Sequence, residues 1–210
     1  MAVIHKATLT PSKLELLTAW LPGRPWFAGP AGEVARVASF RFDDPAGAVG
    51  IETLLVRVGD GPVHQVPLTY RDAPLPGADD WLLTTAEHSV LGTRWVYDGT
   101  RDPLYATTLA AAILGGTGQA EEYFDGTRER RAPSMDVASD VPAGTPVPAV
   151  GTIERVEDGE QTVIVTDTVA LTVSRRPGAD LAGADLTGAV LTGTWPGQDT
   201  PVALAAATLH

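Results

Sequence analysis

Cysteine is absent from the 210-residue chain, and lysine occurs only at Lys6 and Lys13. The lack of cysteine excludes disulfide bonds and thiolate metal sites. Long apolar runs are missing as well, so the sequence predicts no membrane-spanning helix. Residues 1–6 contain no basic region followed by an apolar stretch, and we therefore expect no secretory signal. Together these absences favour a cytoplasmic protein.

Positive charge is also scarce. Only 15 Lys and Arg side chains stand against 26 Asp and Glu, which gives a formal net charge of −11. Such a chain is repelled by nucleic-acid phosphates and by anionic membrane surfaces. The densest basic segment, Arg128 to Arg131, lies beside Glu121, Glu122 and Asp125, which balance its charge locally. The sequence therefore predicts neither a nucleic-acid partner nor a membrane partner.

Proline-based start signals predict two helices. The first follows Thr10-Pro11, with a competing capping box from Ser12 to Glu15, and ends at Pro22-Gly23. The second begins at Asp102-Pro103, where Asp is the N-cap and Pro takes the first helical position. It ends before Gly115-Gly116. We expect these helices to flank a sheet.

Period-two patterns between the helices are typical of half-buried strands. The predicted strands are 34–42, 49–58, 63–70, 81–85 and 93–97, with an earlier strand at 2–9. In the strand from residue 34, we expect Val34 to share one face with Ala38, Phe40 and Phe42. Residues 1–115 are therefore predicted to form an α+β unit, a curved antiparallel sheet with flanking helices.

The remaining residues change in character. Residues 116–148 are rich in proline, glycine and charge, which predicts an exposed connection with a short helix at 120–124. Residues 149–210 are predicted to form a small β-rich unit, with strands at 150–156 and 161–174 and further strands in the tail. Three five-residue repeats from Ala179 match a β-helix pattern, but they are too few to build a solenoid.

Three segments of the first unit resemble one family. These are Trp20-Leu-Pro-Gly-Arg-Pro-Trp-Phe-Ala-Gly29, His64-Gln-Val-Pro-Leu-Thr-Tyr-Arg71, and Trp95-Val-Tyr-Asp98 followed by Asp102-Pro103. They are similar, in the same order, to segments of the amino-terminal cap of actinobacterial maltokinases and related aminosugar kinases. The resemblance covers about the first 115 residues.

A looser resemblance extends into the last unit, which looks like a degenerate kinase small lobe. Gly159-Glu-Gln161 is similar to the start of a turn in that lobe, and Arg175-Arg176-Pro177-Gly178 is similar to the end of its nucleotide-anchoring strand. In kinases this strand carries a lysine that neutralises phosphate charge. Thr172 stands at that position here, and no large catalytic lobe follows in the sequence.

The resemblance implies a function without catalysis. We expect an accessory, regulatory or scaffolding protein linked to sugar phosphorylation, sugar uptake, or α-glucan and trehalose metabolism. Its partner would be a sugar kinase, a glucan-processing enzyme or a second copy of the chain. The alternative is a sensor that binds a sugar or nucleotide between the cap and the remnant lobe. A residual glucan-processing activity ranks last, because the paired carboxylates of such enzymes are not evident.

No residue is predicted to be catalytic or to bind a cofactor or metal, since the four histidines lack metal-site spacing. The aromatic residues Trp20, Trp26 and Phe27 are either a sugar-stacking platform or, more simply, a core corner. Arg24 and Arg71 are candidates for buried ion pairs. The candidates for a family-signature or interface role are Trp20, Arg24, Trp26, Phe27, Gly29, Gln65, Pro67, Arg71, Trp95 and Asp98.

Overall fold

Two six-stranded antiparallel sheets dominate the computed structural model, which describes residues 2–4, 7–127, 129–178 and 188–210. A short parallel pair of β1 (Ala2–Ile4) and β8 (Glu122–Phe124) adds to them. The first sheet has the order β2-β6-β7-β5-β4-β3. Its strands are β2 (Leu9–Thr10), β3 (Val34–Phe42), β4 (Gly50–Val58), β5 (His64–Arg71), β6 (Leu82–His88) and β7 (Gly92–Asp98).

The second sheet has the order β10-β11-β12-β14-β13-β9. Its strands are β9 (Asp136–Ser139), β10 (Ile153–Asp158), β11 (Gln161–Thr166), β12 (Val169–Ser174), β13 (Ala189–Trp195) and β14 (Gln198–Leu209). The predicted fold is confirmed: a curved antiparallel sheet with flanking helices is followed by a second, β-rich part. The chain is mostly β with two α-helices among the described residues.

Helix α1 (Lys13–Trp20) covers one face of the first sheet. It starts at the capping box rather than at Thr10-Pro11, because the Ser12 hydroxyl accepts the Glu15 N–H and the Glu15 carboxylate accepts the Ser12 N–H. A 3-10 turn, Leu21–Gly23, ends it. Leu16 and Leu17 are buried and pack with apolar side chains of β4 and β5. No helix of the described residues is long and apolar enough to cross a membrane.

Helix α2 (Pro103–Leu114) lies between the two sheets. Asp102 caps it by accepting the Leu104 N–H at 2.9 Å, as the sequence predicts. Tyr105, Leu109 and Ile113 are at most 1% exposed, and they share one core with side chains of both sheets. Because this core is shared, α2 packs against both sheets and connects them.

Several expectations were wrong in detail. In place of one strand over residues 2–9, the described residues hold β1 at Ala2–Ile4 and β2 at Leu9–Thr10, which belong to different sheets. Residues 122–124 form β8 instead of a helix, since this segment pairs with β1. A bulge between Arg36 and Ala38 reverses the side-chain alternation of β3, so Val34 packs on the face opposite Ala38. Of the β-helix-like repeats, residues 179–187 lie outside the described residues, and the third repeat falls on β13.

The connection between the sheets follows the open edge of β3. The Ser134 hydroxyl accepts the Ser39 N–H and donates to the Ser39 carbonyl, both at 2.9 Å. The Ala120 N–H donates to the Arg41 carbonyl at 2.8 Å. These bonds occupy backbone groups of β3 that no neighbouring strand uses.

A buried carboxylate connects α1 to the first sheet through an ion pair. Glu52 on β4 is 3% exposed and forms an ion pair with Lys13 of α1. Arg41 of β3 lies 3.3 Å from the same carboxylate, and the Tyr70 hydroxyl donates to it at 3.2 Å. Burial alone would raise the pKa of Glu52, but Lys13 and Arg41 outweigh it and lower the pKa to about 2.

This pKa predicts acid sensitivity. A carboxyl whose pKa is lowered in the folded state stabilises the fold above its unfolded pKa, and the contribution is lost as the pH falls through the folded value. For Glu52 the window runs from 4.5 down to about 2, and the contribution is on the order of 3 kcal/mol. Urea unfolding of the wild type and Glu52→Gln between these pH values measures it. We expect a flatter pH dependence in the variant, and equal slopes would contradict this.

Candidate functional site

Arg175 is the centre of the contact between the two sheets. It follows β12 and is 0% exposed. Its Nη2 donates to Asp98 Oδ2 at 2.9 Å and to Thr100 Oγ1 at 3.0 Å, and its Nε donates to Thr162 Oγ1 at 2.7 Å. Asp98 and Thr100 come from the end of β7, whereas Thr162 lies on β11. One guanidinium therefore binds both sheets, and its charge is balanced by a buried carboxylate.

The signature tryptophan Trp26 lies over this guanidinium. The centre of the Arg175 guanidinium is 4.4 Å from the Trp26 ring centroid, a cation–π contact. Trp20 meets Trp26 edge to face, with centroids 5.7 Å apart. Trp26 is only 3% exposed. The arrangement favours the core-corner interpretation over a sugar-stacking platform, because the Trp26 ring is covered by protein.

His64, at the start of β5, fixes the loop after Trp26. Its Nε2 accepts the Ala28 N–H at 3.1 Å, and its ring lies 4.9 Å from that of Phe27. Burial lowers the pKa of His64, and the nearby charge of Arg176 lowers it further. The imidazole is therefore held neutral, as its acceptor role requires. Gly29 follows, where a Cβ would lie 3.2 Å from the Phe27 ring.

Gln65 joins the backbones of the two sheets. Its side-chain amide donates to the carbonyl of Ser174 at 3.1 Å and to that of Leu204 at 2.9 Å. Its own backbone N–H donates to the Arg175 carbonyl at 2.9 Å. All three bonds cross from β5 to the second sheet. The signature glutamine is thus a structural bridge, and it is 1% exposed.

Pro67 occupies the point where β5 changes its neighbour. Alternate N–H groups of a strand point the same way, so position 67 faces the side on which Gln65 bonds Arg175. The pairing of β5 with β7 begins only at Leu68, opposite Asp98. The missing N–H of proline therefore falls in a gap between two partners. Gly99 fits tightly beside it, since a Cβ there would lie 3.1 Å from the Pro67 Cβ.

The two signature arginines have different partners. Arg71 forms a two-bond ion pair with the buried N-cap Asp102, with both N···O distances at 2.7 Å, as predicted. Arg24 stacks on Trp20 at 4.8 Å, and it pairs with no carboxylate among the described residues. The ion-pair prediction for Arg24 therefore stays a prediction. Trp95 is half-buried on β7, opposite Arg71 on β5.

Thr172 lies on the opposite face of the second sheet from this contact. It is half-buried on β12, between Val163 of β11 and Ala206 of β14. Its strand neighbours Leu171 and Val173 are 0% exposed and point into the shared core. Thr172, which the sequence resemblance predicts at the position of a kinase lysine, thus carries a short, uncharged side chain on the outer face.

Sequence reasoning missed part of this arrangement. From the sequence, Arg175 is noted only as part of the motif Arg175-Arg176-Pro177-Gly178. Thr100, Thr162 and Asp158 are not predicted to have a functional role. Arg101 donates to the Val156 carbonyl at 3.2 Å and pairs with Asp158, so β10 is also tied to the end of β7. The alternation Leu171, Val173, Arg175 was the available signal, because it places the arginine on the buried face.

Other charged clusters are balanced locally. Arg131 Nη1 lies 2.9 Å from Glu122, and Arg130 Nη2 lies 3.3 Å from Glu121. These pairs agree with the local charge balance that the sequence predicts. At the Arg175 contact, Nε and Nη2 of the guanidinium bond to Thr162, Asp98 and Thr100, whereas Arg175 Nη1 and Gln65 Oε1 are buried without a hydrogen-bond partner among the described residues. The bonds that are made connect the two sheets.

The model of one protein family matches the first part of the chain, the maltokinase N-terminal cap domain, over residues 20–102. Residues 20–102 are a maltokinase N-terminal cap domain. Over these residues the chain is therefore maltokinase cap-like. Every signature candidate from Trp20 to Asp98 lies inside the cap domain, whereas Arg175 lies outside it. The candidate site is thus where the cap domain meets the second sheet.

Comparisons with curated proteins and with solved structures add two findings. No curated protein matches the chain. Among solved structures, the chain is similar to a glucosamine kinase in complex with glucosamine, ADP and inorganic phosphate, with 18% identity and a TM-score of 0.49. The alignment covers 96% of this chain and 41% of the kinase chain. The cap-like protein thus spans less than half the length of that kinase.

Proposed function

We propose that this cap-like protein does not transfer phosphoryl groups itself and acts as an accessory or scaffolding protein in sugar phosphorylation or α-glucan and trehalose metabolism. The observation that carries the proposal is the closed contact around Arg175. The cap signature residues Trp26, Gln65 and Asp98 all bind this one side chain or its backbone neighbours. They support a rigid two-sheet body rather than an open reaction site.

Thr172 supports the non-catalytic part of the proposal. Phosphoryl transfer depends on positive charge held against the phosphates and on bound metal ions. By its resemblance to the kinase strand, Thr172 is the position where lysine would supply that charge. A threonine hydroxyl can donate one hydrogen bond but carries no charge. A chain with this substitution is better suited to docking than to catalysis.

The partner in this proposal is a sugar kinase, a glucan-processing enzyme or a second copy of the chain. The net charge of −11 favours a partner surface with basic character, because complementary potentials speed and orient encounter. The contact around Arg175 keeps the cap domain and the second sheet in one orientation, so docking would use a preformed surface.

A sensor function is the second candidate, and the buried contact limits where its ligand would bind. Arg175 and Trp26 are 0% and 3% exposed, so a ligand between them would have to displace a buried ion pair. A ligand site at the rim of this contact requires no such displacement. Trp81 is the exposed aromatic residue at that rim.

A phosphoryl-transfer assay tests the non-catalytic proposal. The full chain is incubated with Mg-ATP and maltose, trehalose, glucose or glucosamine, and sugar phosphate and ADP are measured. We expect no sugar-dependent turnover from the wild type. We expect none from Thr172→Lys, because one lysine does not supply the metal ligands that the reaction needs.

Turnover by the wild type at enzymatic rates would overturn the proposal. Turnover by Thr172→Lys alone would show that the chain retains the other catalytic groups. The accessory part is tested by sedimentation of the chain alone and mixed with a purified maltokinase. We expect a faster-sedimenting species in one of these samples, and its absence from both would count against docking to itself or to such a kinase.

A further inference from the structure

Trp81 is the one tryptophan among the exposed large apolar side chains of the described residues, at 39% exposure. It ends a 3-10 turn, Asp79–Trp81, immediately before β6. The resemblance to the maltokinase cap does not rest on this residue. Arg101 lies against its ring and is bonded to β10, so Trp81 sits at the surface where the cap domain meets the second sheet.

The Trp81 ring is held in position by the protein itself. The Trp81 backbone N–H donates to the Ala78 carbonyl at 3.0 Å, which fixes the turn that carries the ring, and Ala78 is 3% exposed. The Arg101 guanidinium lies 5.5 Å from the ring centroid, and Arg101 is in turn fixed by Val156 and Asp158. A ligand that stacks on this ring would lose little affinity to ordering the side chain.

The surroundings of the ring supply polar groups of the kind that hydroxyls bind. Asp79 and Asp80 precede Trp81 and are exposed, as is part of Asp158, whose side chain is 24% exposed. Carboxylates accept strong, charge-assisted hydrogen bonds from hydroxyl donors. Guanidinium N–H groups donate to hydroxyl oxygens, and Nη1 and Nη2 of Arg101 each carry a second N–H beyond the one that bonds Val156 or Asp158. An aromatic face with both kinds of group nearby matches a ligand that has an apolar face and a rim of hydroxyls.

The negative charge of this surface favours a neutral ligand over an anionic one. The three carboxylates stand against Arg101 and the buried Arg175, whose Nη2 lies 3.9 Å from Asp158 Oδ1, and the whole chain carries −11. Nucleotides and sugar phosphates would be repelled by this potential. A neutral ligand avoids the repulsion and keeps the hydrogen bonds.

We propose that Trp81 is the stacking platform of a binding site for a neutral carbohydrate, with Asp80 and Arg101 as its hydroxyl-binding groups. The proposal deepens the link to sugar metabolism and rests on that part of the proposed function. It does not depend on the absence of phosphoryl transfer. The site lies at the rim of the Arg175 contact and leaves that contact intact.

The test is a titration of the full chain with glucose, maltose, trehalose and maltoheptaose, followed by NMR of the tryptophan indole N–H signals. Trp81→Ala identifies the Trp81 signal by its absence. We expect saturable shifts of this signal with at least one of these sugars. In Trp81→Ala, affinity measured by calorimetry should fall at least about tenfold, equivalent to about 1.4 kcal/mol, whereas Trp81→Phe should retain most of it.

Val90→Ala is the matched control, because Val90 is an exposed apolar side chain, 56% exposed, in the turn between β6 and β7. It should bind the sugar as the wild type does. Glucose 6-phosphate should bind more weakly than glucose. No saturable binding of any neutral sugar, or equal affinity in Trp81→Ala and the wild type, would overturn the proposal. A chain that binds sugar at Trp81 but also phosphorylates it would overturn only the non-catalytic function.

Discussion

Replacing Arg175 with methionine should lower the free energy of unfolding by about 3–5 kcal/mol. Methionine keeps much of the side-chain length, but it leaves the carboxylate of Asp98 buried without its cation. Asp98 is 6% exposed, and Thr162 would lose its bond to the guanidinium as well. Removing one partner of a buried pair costs more than the pair itself contributes, because the remaining charge stays desolvated. Urea unfolding at neutral pH measures the loss.

Arg176→Met is the matched control, since the next residue has the same side chain in a different setting. Arg176 pairs with Glu160, whose side chain is 85% exposed. Such surface pairs contribute about 0–1 kcal/mol. Similar losses in the two variants would contradict the assignment of Arg175 as the residue that holds the sheets together.

Trp26→Ala should destabilise the fold by about 3–5 kcal/mol, the usual cost of deleting a large buried aromatic side chain. The variant removes the ring that packs on Arg175 at 4.4 Å and on Trp20 at 5.7 Å. Differential scanning calorimetry together with urea unfolding measures the effect. A large loss of stability is expected from a structural tryptophan and not from a ligand platform.

Trp81→Ala provides the comparison, because it deletes the same side chain where it is 39% exposed. Surface substitutions usually change stability by no more than about 0.5 kcal/mol. We therefore expect opposite outcomes: Trp26→Ala loses stability, and Trp81→Ala loses sugar binding. A Trp26→Ala variant as stable as the wild type would contradict the core-corner interpretation.

Much of the fold could be predicted from local patterns. The Ser12 capping box and the Asp102 N-cap set the start of each helix, since each signal acts within four residues. The alternation of apolar and polar residues in β3 to β7 was also visible in the sequence, because it too is a local pattern. The bulge at Arg36 was not, because an extra residue in a strand is set by its pairing with β4. Likewise β8 forms only because β1 lies beside it.

The candidate site was half predictable. The cap signature residues were found because they form three compact motifs. Their meeting point was not, because Arg175 and Asp98 are 77 positions apart in the sequence. Two residues this far apart produce no periodic pattern in the sequence from which their contact could be predicted. The division into residues 1–115, 116–148 and 149–210 stays a prediction, and so does an interface role toward a partner.

The Ser134 hydroxyl, which bonds both backbone groups of Ser39, acts as a substitute for a neighbouring strand on β3. An open edge of a sheet is a template for pairing with another chain, and proteins cover such edges to stay soluble. The segment that connects the two sheets therefore also covers the open edge of β3 and reduces its tendency to pair with another chain. Shortening residues 120–134, even with both sheets left intact, would convert β3 into a site for uncontrolled association.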